Sequence, residues 1–447
     1  MYSIGIDIGT STICGVLADS RGVSVRTLTK ANDSGVKSSR PWEMAQEPER
    51  IVEIVRSLIG ELTDGICEVV SVGLSGQMHG VLYVDASGMA VSHLYTWQDR
   101  RGTLEYKEGK SYSAWLSETG GRPVSSGYGL VTHFYNLKNG LVPSGAVKVC
   151  TVMDYVAIRL CGKRTPMIEA SNAASFGFFD CESLDFDLEA LGKVGIGPDM
   201  LPEVVPSSTV CGYYGDTPVV VSIGDNQASF IGAVKDFDKS VLVTVGTSSQ
   251  ISVHTNVYHS VEGLDTRPFP GGGYILVGAA LCGGSTFALL KQFFKDSSRL
   301  FTGMEVSDAD IFDKFTSVEY SRETESDLKV RTSFDGTRLR PDLKGAIENI
   351  SSVNFTPESL IVGFLRGVCR ELSDFYSQVP ESVRKGKVRL VGSGNAVRKN
   401  ALLRGFLEDA FGMRLDESPC REESAMGACV NGMVGAGLLD SYGKVSA

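Results

Sequence analysis

Ile4, Ile6 and Ile8 alternate with Ser3, Gly5, Asp7 and Gly9 at the start of the chain. This is the period-two pattern of a strand with one apolar face and one face of small residues plus a carboxylate. The small face reads as cut back to admit a ligand. Asp7 has no packing reason to be there, because a buried carboxylate without partners is either costly or protonated. After Gly9 the chain runs through Thr10, Ser11 and Thr12 into the apolar stretch Ile13–Leu17. That pattern predicts a hairpin whose turn, rich in hydroxyls and exposed N–H groups, can cradle phosphate oxygens.

Further along, helical spacing occurs from Pro48 to Leu62 (Ile51, Ile54, Val55, Leu58, Ile59) and again over 358–376 (Leu360, Ile361, Phe364, Leu365, Val368, Leu372). Strands are predicted at 69–76, before the Asp-Ala-Ser-Gly turn that ends at Gly88, at 219–221, at 241–245 and at 388–391. The charge-rich segment 300–345 reads as surface loops and short helices. IGTSTICGV at 8–16 returns as VGTSSQISV at 245–253, each after an apolar run and 237 positions apart. Strand, turn chemistry and following strand all recur, so the chain is expected to be a duplicated α/β protein. Its two hairpins would face each other across a cleft and hold a polyphosphate. The boundary is placed near Val221, giving units of 1–221 and 222–447.

Composition narrows the class. A chain of 447 residues exceeds the roughly 250–300 at which single cores stop growing, and two domains follow. The 51 glycines fit many tight turns and close backbone approaches. A net charge of −10 argues against nucleic acid as partner. The ten cysteines are scattered singly, without metal-ligand or disulfide spacing, and read as small buried side chains in a reducing compartment. With no leader pattern and no long apolar run, a cytoplasmic protein is expected, without membrane contact or a DNA-binding appendage.

Three glycine-rich signatures fail on inspection. Gly109-Lys110-Ser111 resembles the end of a phosphate-binding P-loop, but Leu104 stands where that motif needs glycine. No G-x-G-x-x-G follows a strand. Gly73-Leu74-Ser75-Gly76 is followed by Gln77, which removes a nucleophile elbow.

Nine strings occur in order over nearly the whole chain: GIDIGTST, GQMHG (76–80), TWQDRR (96–101), MDYVAIRLCG (153–162), SNAASFGFFD (171–180), IGDNQASFIGA (223–233), VGTSSQ (245–250), VGSGNAVRKN (391–400) and ESAMGA (423–428). Together they resemble the landmarks of the FGGY carbohydrate kinases. The resemblance implies two actin-like, ribonuclease H-like domains with an interdomain catalytic cleft. It also implies transfer of the γ-phosphoryl group of ATP, with Mg²⁺, to a sugar hydroxyl. GQMHG resembles kinases of ketoses such as xylulose, whereas SHLYTWQDR with SNAASFGFFD resembles the members that act on sedoheptulose. Xylulose kinases usually carry Asn where Gln98 stands.

The resemblance also assigns roles. Asp7 would hold Mg²⁺, mainly through waters. Gly9, Thr10, Ser11 and Thr12 of one domain and Gly246, Thr247 and Ser248 of the other would surround the phosphates, although such hydroxyls are also ordinary turn chemistry. Asp225 matches the catalytic base, in a Gly-Asp-Asn string that is equally a common turn, and would also touch the sugar. Gln77, Met78, His79, Trp97, Gln98 and Asp99 offer the donors, acceptors and flat apolar wall that a ketose needs. Gly392, Ser393, Gly394 and Asn395 match the adenosine motif, with Gly283 and Gly284 as further cofactor contacts or a bare turn.

Two other functions fit parts of the pattern. An actin-like assembly ATPase would share the hairpins but lack GQMHG and TWQDRR, and a sugar sensor of kinase ancestry would bind without turnover. The oligomeric state is left open, with a homodimer among the expectations.

Overall fold

The computed structural model describes residues 1–66, 68–246, 249–281, 283–318, 328–337, 340 and 342–443. The alternation at the N-terminus forms β1 (Tyr2–Ile8), which pairs antiparallel with β2 (Thr12–Asp19), itself antiparallel to β3 (Ser24–Ala31). On the other side of β1 lies β4 (Val69–Gly76), parallel to it, then β6 (Thr217–Val220), parallel to β4, and β5 (Val210–Tyr214) at the edge. The sheet order is therefore β5-β6-β4-β1-β2-β3. A short strand, Ile223–Gly224, extends the sheet by pairing with Ser75 and Gly76 at the end of β4.

Helix α1 (Pro48–Leu62) opens on a proline whose missing N–H would have had no intrahelical partner. Its buried stripe, including Ile51, Val55, Leu58 and Leu62, forms one core with Ile4, Ile6 and Ile8 of β1. Helix α2 (Val152–Cys161) joins that core and starts on a capping box, Thr151 with Asp154. A second core, built from residues between 81 and 201, includes Leu130, Phe134 and Phe176.

The opposite, small face of β1 is occupied by protein. A β-carbon on Gly5 would stand 1.9 Å from the Ala425 oxygen, and one on Gly73 of β4 would stand 1.8 Å from the Ala428 oxygen. Both strands are thus stripped of side chains so that the C-terminal helix Glu423–Gly435 can lie directly on the sheet backbone. The expectation of a ligand on this face is corrected: glycine was needed for a helix.

The second unit repeats the plan. In it, β7 (Ser240–Val245) pairs antiparallel with β8 (Ser249–Thr255), which flanks β10 (Tyr274–Ala280), with β9 (Asp265–Pro268) beyond. Parallel to β7 come β11 (Arg389–Ser393) and then β12 (Arg414–Glu417). With the edge strands β5 and β9 and the short Ile223–Gly224 left out of the count, both sheets read third-second-first-fourth-fifth, as β3-β2-β1-β4-β6 and β10-β8-β7-β11-β12. Helix α3 (Asp225–Ala233) belongs to the first unit. Helices α4 (Gly284–Thr302), α5 (Pro357–Gln378) and α6 (Ala401–Phe411) belong to the second, where α5 and α6 share a core with Val241, Val243 and Leu390.

The compact units are Met1–Lys235 with Arg267–Gly273 and Glu422–Ala447, and Asp236–Thr266 with Tyr274–Arg421. This division runs elsewhere than the expected 1–221 and 222–447. The reason is that α3 packs on the C-terminal helix, and both complete the first sheet. No described helix is long and apolar enough to cross a membrane.

Candidate active site

Three neighbouring strands of the first unit, β1, β4 and Ile223–Gly224, run parallel and end on the same edge. Ligands of open α/β sheets gather at such carboxyl edges. Here that edge carries the turn Gly9–Thr12, the segment Gln77–His79 and Asp225.

Asp225 is the first residue of α3, and its position is braced from behind. The Gly224 amide donates to Ser171 Oγ (2.9 Å), while Ser171 donates to the buried carboxylate of Glu169. Asn172 Nδ2 donates to the oxygen and hydroxyl of Ser222 (3.1 and 3.0 Å), and Ser222 Oγ donates to Asp154 Oδ1 (2.7 Å). On its other side, Gln227 Nε2 donates to the Pro268 oxygen (2.9 Å) and Phe230 meets Phe269 edge-on. Burial pushes the Asp225 carboxyl up to about 6, against the opposing pull of the Arg267 guanidinium and the Asn226 amide.

Asp7 shares this corner. Its Oδ1 accepts from Ser75 Oγ (2.8 Å). Burial, then the negative charges of Asp225 and Glu422, push its carboxyl up to about 7. A desolvated carboxylate among like charges is a fitting environment for a hard cation, and its donors are oxygen only. Among the described residues no group of three or more His, Cys, Asp or Glu side chains is disposed to hold a metal. The oxygen donors of Asp7 fit a hard cation of the Mg²⁺ type, which keeps much of its water.

His79 has a φ of 74°, a left-handed conformation that is strained for a residue with a β-carbon. It is held there by Ser175, whose hydroxyl accepts the His79 amide (3.1 Å) and whose carbonyl meets Nδ1 (2.9 Å), and by stacking on Tyr128 at 4.6 Å. Met78 is buried against Gly224, where a β-carbon would come within 2.8 Å of its sulfur. Trp97 is 47% exposed, and Gln98 beside it is exposed.

Two residues expected to touch sugar have other tasks. The Asp99 side chain is wholly buried, and its oxygens accept from Arg101 N, Nε and Nη2 and from the Met44 amide. A carboxylate that accepts four hydrogen bonds, two from a buried guanidinium and two from backbone amides, braces the loop and leaves no edge for a ligand. Gln77, also buried, spends Oε1 on Thr10 and Nε2 on Gln46.

In the turn after β1, Gly9, Thr10, Ser11 and Thr12 lie between the paired residues Ile8 and Ile13 and remain partly or fully exposed. The matching turn of the second unit is one residue shorter, closed by Val245 and Ser249. Gly246 is partly exposed, and Thr247 and Ser248 lie outside the described residues. Thr244 stands where the repeat would place a second Asp7.

Also in the second unit, Gly394 has a φ of 89°, and a β-carbon there would meet the Val245 oxygen at 2.4 Å, so the turn after β11 needs glycine to close on the end of β7. Gly392 and Ser393 are buried inside β11, which runs two residues beyond the expected strand end at 391, whereas Asn395 is exposed. Gly283 caps α4 and Gly284 begins it.

Sequence reasoning assigned nothing to Gln46, Arg267, Glu422 or Tyr128. Ser171, Ser175 and Asp154 lay inside quoted strings without a role, and Glu422 directly precedes another.

The family model "FGGY family of carbohydrate kinases, N-terminal domain" matches residues 2–242. Mouse sedoheptulokinase is 26% identical over 92% of both chains. Gluconokinase of Bacillus subtilis is 24% identical over 100% of this chain and 90% of its own. In fold, the gluconate kinase of Lactobacillus acidophilus superposes with a TM-score of 0.84 at 20% identity, covering 99% of this chain and 91% of that one. The ligand-bound xylulose kinase of the same organism gives 0.82 at 20%, with the same coverage. The duplicated sheets are thus two actin-like, ribonuclease H-like domains. With a carboxylate at the sheet edge of the matched domain and more than half the chain inside the match, this chain belongs to the FGGY family of carbohydrate kinases, phosphotransferases with an alcohol group as acceptor.

Proposed function

We propose that the chain transfers the γ-phosphoryl group of ATP to a ketose hydroxyl, sedoheptulose first and D-xylulose second. The observation that carries this reading is the position of Asp225, at the carboxyl edge of the first sheet with Asp7 and with Met78 packed on the glycine before it. Phosphoryl transfer asks the protein mainly for positioning and charge stabilisation. The sugar hydroxyl oxygen bonds to the γ-phosphorus as the bond to the β-γ bridging oxygen breaks, and Asp225 accepts the hydroxyl proton late in that displacement. A carboxyl near 6 is largely ionised at neutral pH and still basic enough for that task.

Mg²⁺ bound with the nucleotide would neutralise charge on its phosphates, and Asp7 is the residue to hold it. The turn Gly9–Thr12 supplies N–H and hydroxyl donors to the phosphates. In the second unit, Gly246 takes the matching part, with Thr247 and Ser248 proposed from the repeat. Gly392, Gly394 and Asn395 are proposed as adenosine contacts, with Gly283 and Gly284 beside them. Trp97 and Met78 form the apolar wall for the sugar, and His79 and Gln98 its polar contacts.

Support for sedoheptulose comes from TWQDRR and SNAASFGFFD together with the mouse relative. A second reading, a sugar acid such as gluconate, is favoured by the Arg267 cation beside Asp225 and by the gluconate kinases among the relatives. ADP release with Mg·ATP over a panel of ketoses, polyols and gluconate tests both. A pocket built for seven carbons leaves groups unpaired with a shorter sugar, so kcat/KM for sedoheptulose should exceed that for D-xylulose by at least about tenfold. Gln98→Asn should narrow the gap. A preference for xylulose or gluconate overturns the sugar assignment, and turnover that ignores every sugar overturns the reading as a whole.

A further inference from the structure

Four side chains of the first unit form one hydrogen-bonded path. Trp97 Nε1 donates to Thr10 Oγ1 (3.0 Å), Thr10 Oγ1 donates to Gln77 Oε1 (3.2 Å), and Gln77 Nε2 donates to Gln46 Oε1 (2.8 Å). Gln46 Nε2 then donates to the backbone oxygen of Thr10 (2.8 Å), which closes the ring. Gln46 sits in the two-residue strand Ala45–Gln46, and both glutamines are buried, 5% and 4% exposed.

The polarity of this path has one solution. An indole N–H can only donate and a carbonyl oxygen can only accept. Thr10 Oγ1 must therefore accept from Trp97, and the Thr10 carbonyl must accept from Gln46 Nε2. The second condition turns Gln46 Oε1 to Gln77 Nε2 and Gln77 Oε1 to the Thr10 proton, so the buried ring is ordered from the Thr10 carbonyl. Removing the indole N–H leaves the amides in order but unties Thr10 from the Trp97 ring. The indole is also the most exposed member, at one end of a path whose other accessible member is Thr10.

We propose that this path couples the two substrates: a sugar lying on the Trp97 ring fixes the indole, the indole N–H holds Thr10 Oγ1 in place, and the turn Gly9–Thr12 is thereby arranged to receive phosphate. Trp97 is the coupling residue and Gln46 a positioning residue. The inference rests on the assignment of Trp97 to the sugar and of Gly9–Thr12 to the phosphates. Linkage makes the effect reciprocal, so sugar tightens nucleotide binding by the factor by which nucleotide tightens sugar binding.

The test is calorimetric titration of the full chain, with Mg²⁺, by a non-hydrolysable ATP analogue, with and without saturating sedoheptulose. Trp97→Phe keeps the ring and removes the N–H. With sedoheptulose at a concentration that saturates each protein, the sugar-induced tightening should fall by about 2- to 12-fold, the worth of one neutral hydrogen bond. Thr10→Ser keeps the shared hydroxyl and should keep the tightening. Melting temperatures check that both variants fold. Wild-type tightening that survives in Trp97→Phe overturns the coupling path, as does loss of tightening in Thr10→Ser. A wild-type protein that binds sedoheptulose with no effect on the nucleotide also overturns the path and leaves the sugar assignment standing. One that does not bind sedoheptulose overturns the assignment and the path together.

Discussion

The hydroxyl of Ser171 receives the amide hydrogen of Gly224 at 2.9 Å, and the next residue is Asp225. The carboxylate proposed as base is therefore aimed by a side chain more than fifty positions earlier. Asp225→Asn should fold and bind both substrates but lower kcat by about 10²–10⁴. Ser171→Ala should lower kcat by a smaller factor, roughly tenfold, with substrate affinities near wild type. Steady-state kinetics and calorimetry on the two variants separate the roles. Loss of nucleotide binding in Asp225→Asn would place Asp225 among the phosphate contacts instead.

Gly5→Ala tests the crossing of β1 by the C-terminal helix. A methyl group 1.9 Å from a backbone oxygen forces sheet and helix apart, and backbone cannot swing aside as a side chain tip can. The expected destabilisation is at least about 3 kcal/mol, the top of the ordinary range for single substitutions. Urea midpoints measure it, and a variant that unfolds with wild type would disprove the contact.

Asp7→Asn keeps a partner for the Ser75 hydroxyl while removing a charge that burial and two neighbouring carboxylates disfavour. The Mg²⁺ concentration for half-maximal ADP release should rise several-fold. Thermal stability without ligands should stay level or increase, because a poorly compensated charge has been removed. A drop in stability together with an unchanged Mg²⁺ requirement would give Asp7 a purely structural role.

Asp154 sets a pH dependence of folding. Burial pushes its carboxyl up to about 7 despite the hydrogen bonds from Thr151 and Ser222. Its unfolded value is near 4, so between about pH 4 and 7 the folded state holds the extra proton and stability falls as pH rises, by at most about 1.4 kcal/mol per pH unit. Buried His133, held down at about 4, acts in the opposite sense between about 4 and 6.5. Above pH 6.5 the Asp154 contribution is unopposed by His133. Urea midpoints of wild type between pH 6 and 7 should fall relative to those of Asp154→Asn, and parallel curves would refute the assignment.

Much of this molecule was legible along the chain. Helix α1 was read at Pro48–Leu62, where it stands, and α5 within two residues at each end, because both carry a wide apolar stripe. The duplicated hairpins were legible as strings because turn chemistry is local. What stayed hidden depends on contact between distant segments. A strand face of serine and glycine looks the same whether a ligand or a helix backbone will lie on it, so Gly5 was misread. Asp99 looked available because its partner, two residues away, could as well have faced solvent. Gln46 carried no pattern at all: its strand has two residues, and its meaning lies in an amide 31 positions later.

The order of synthesis and the order of completion differ in this chain. The sheet of the first unit is made early, yet the helix that covers it begins at Glu423, after the whole of the second unit. At about 5–20 residues per second, a growing chain carries that sheet face uncovered for roughly 10–40 s between Lys235 and Glu422. A message cut short before position 423 would deliver a second unit with all its strands and a first unit still open: the half made first is the last to be finished.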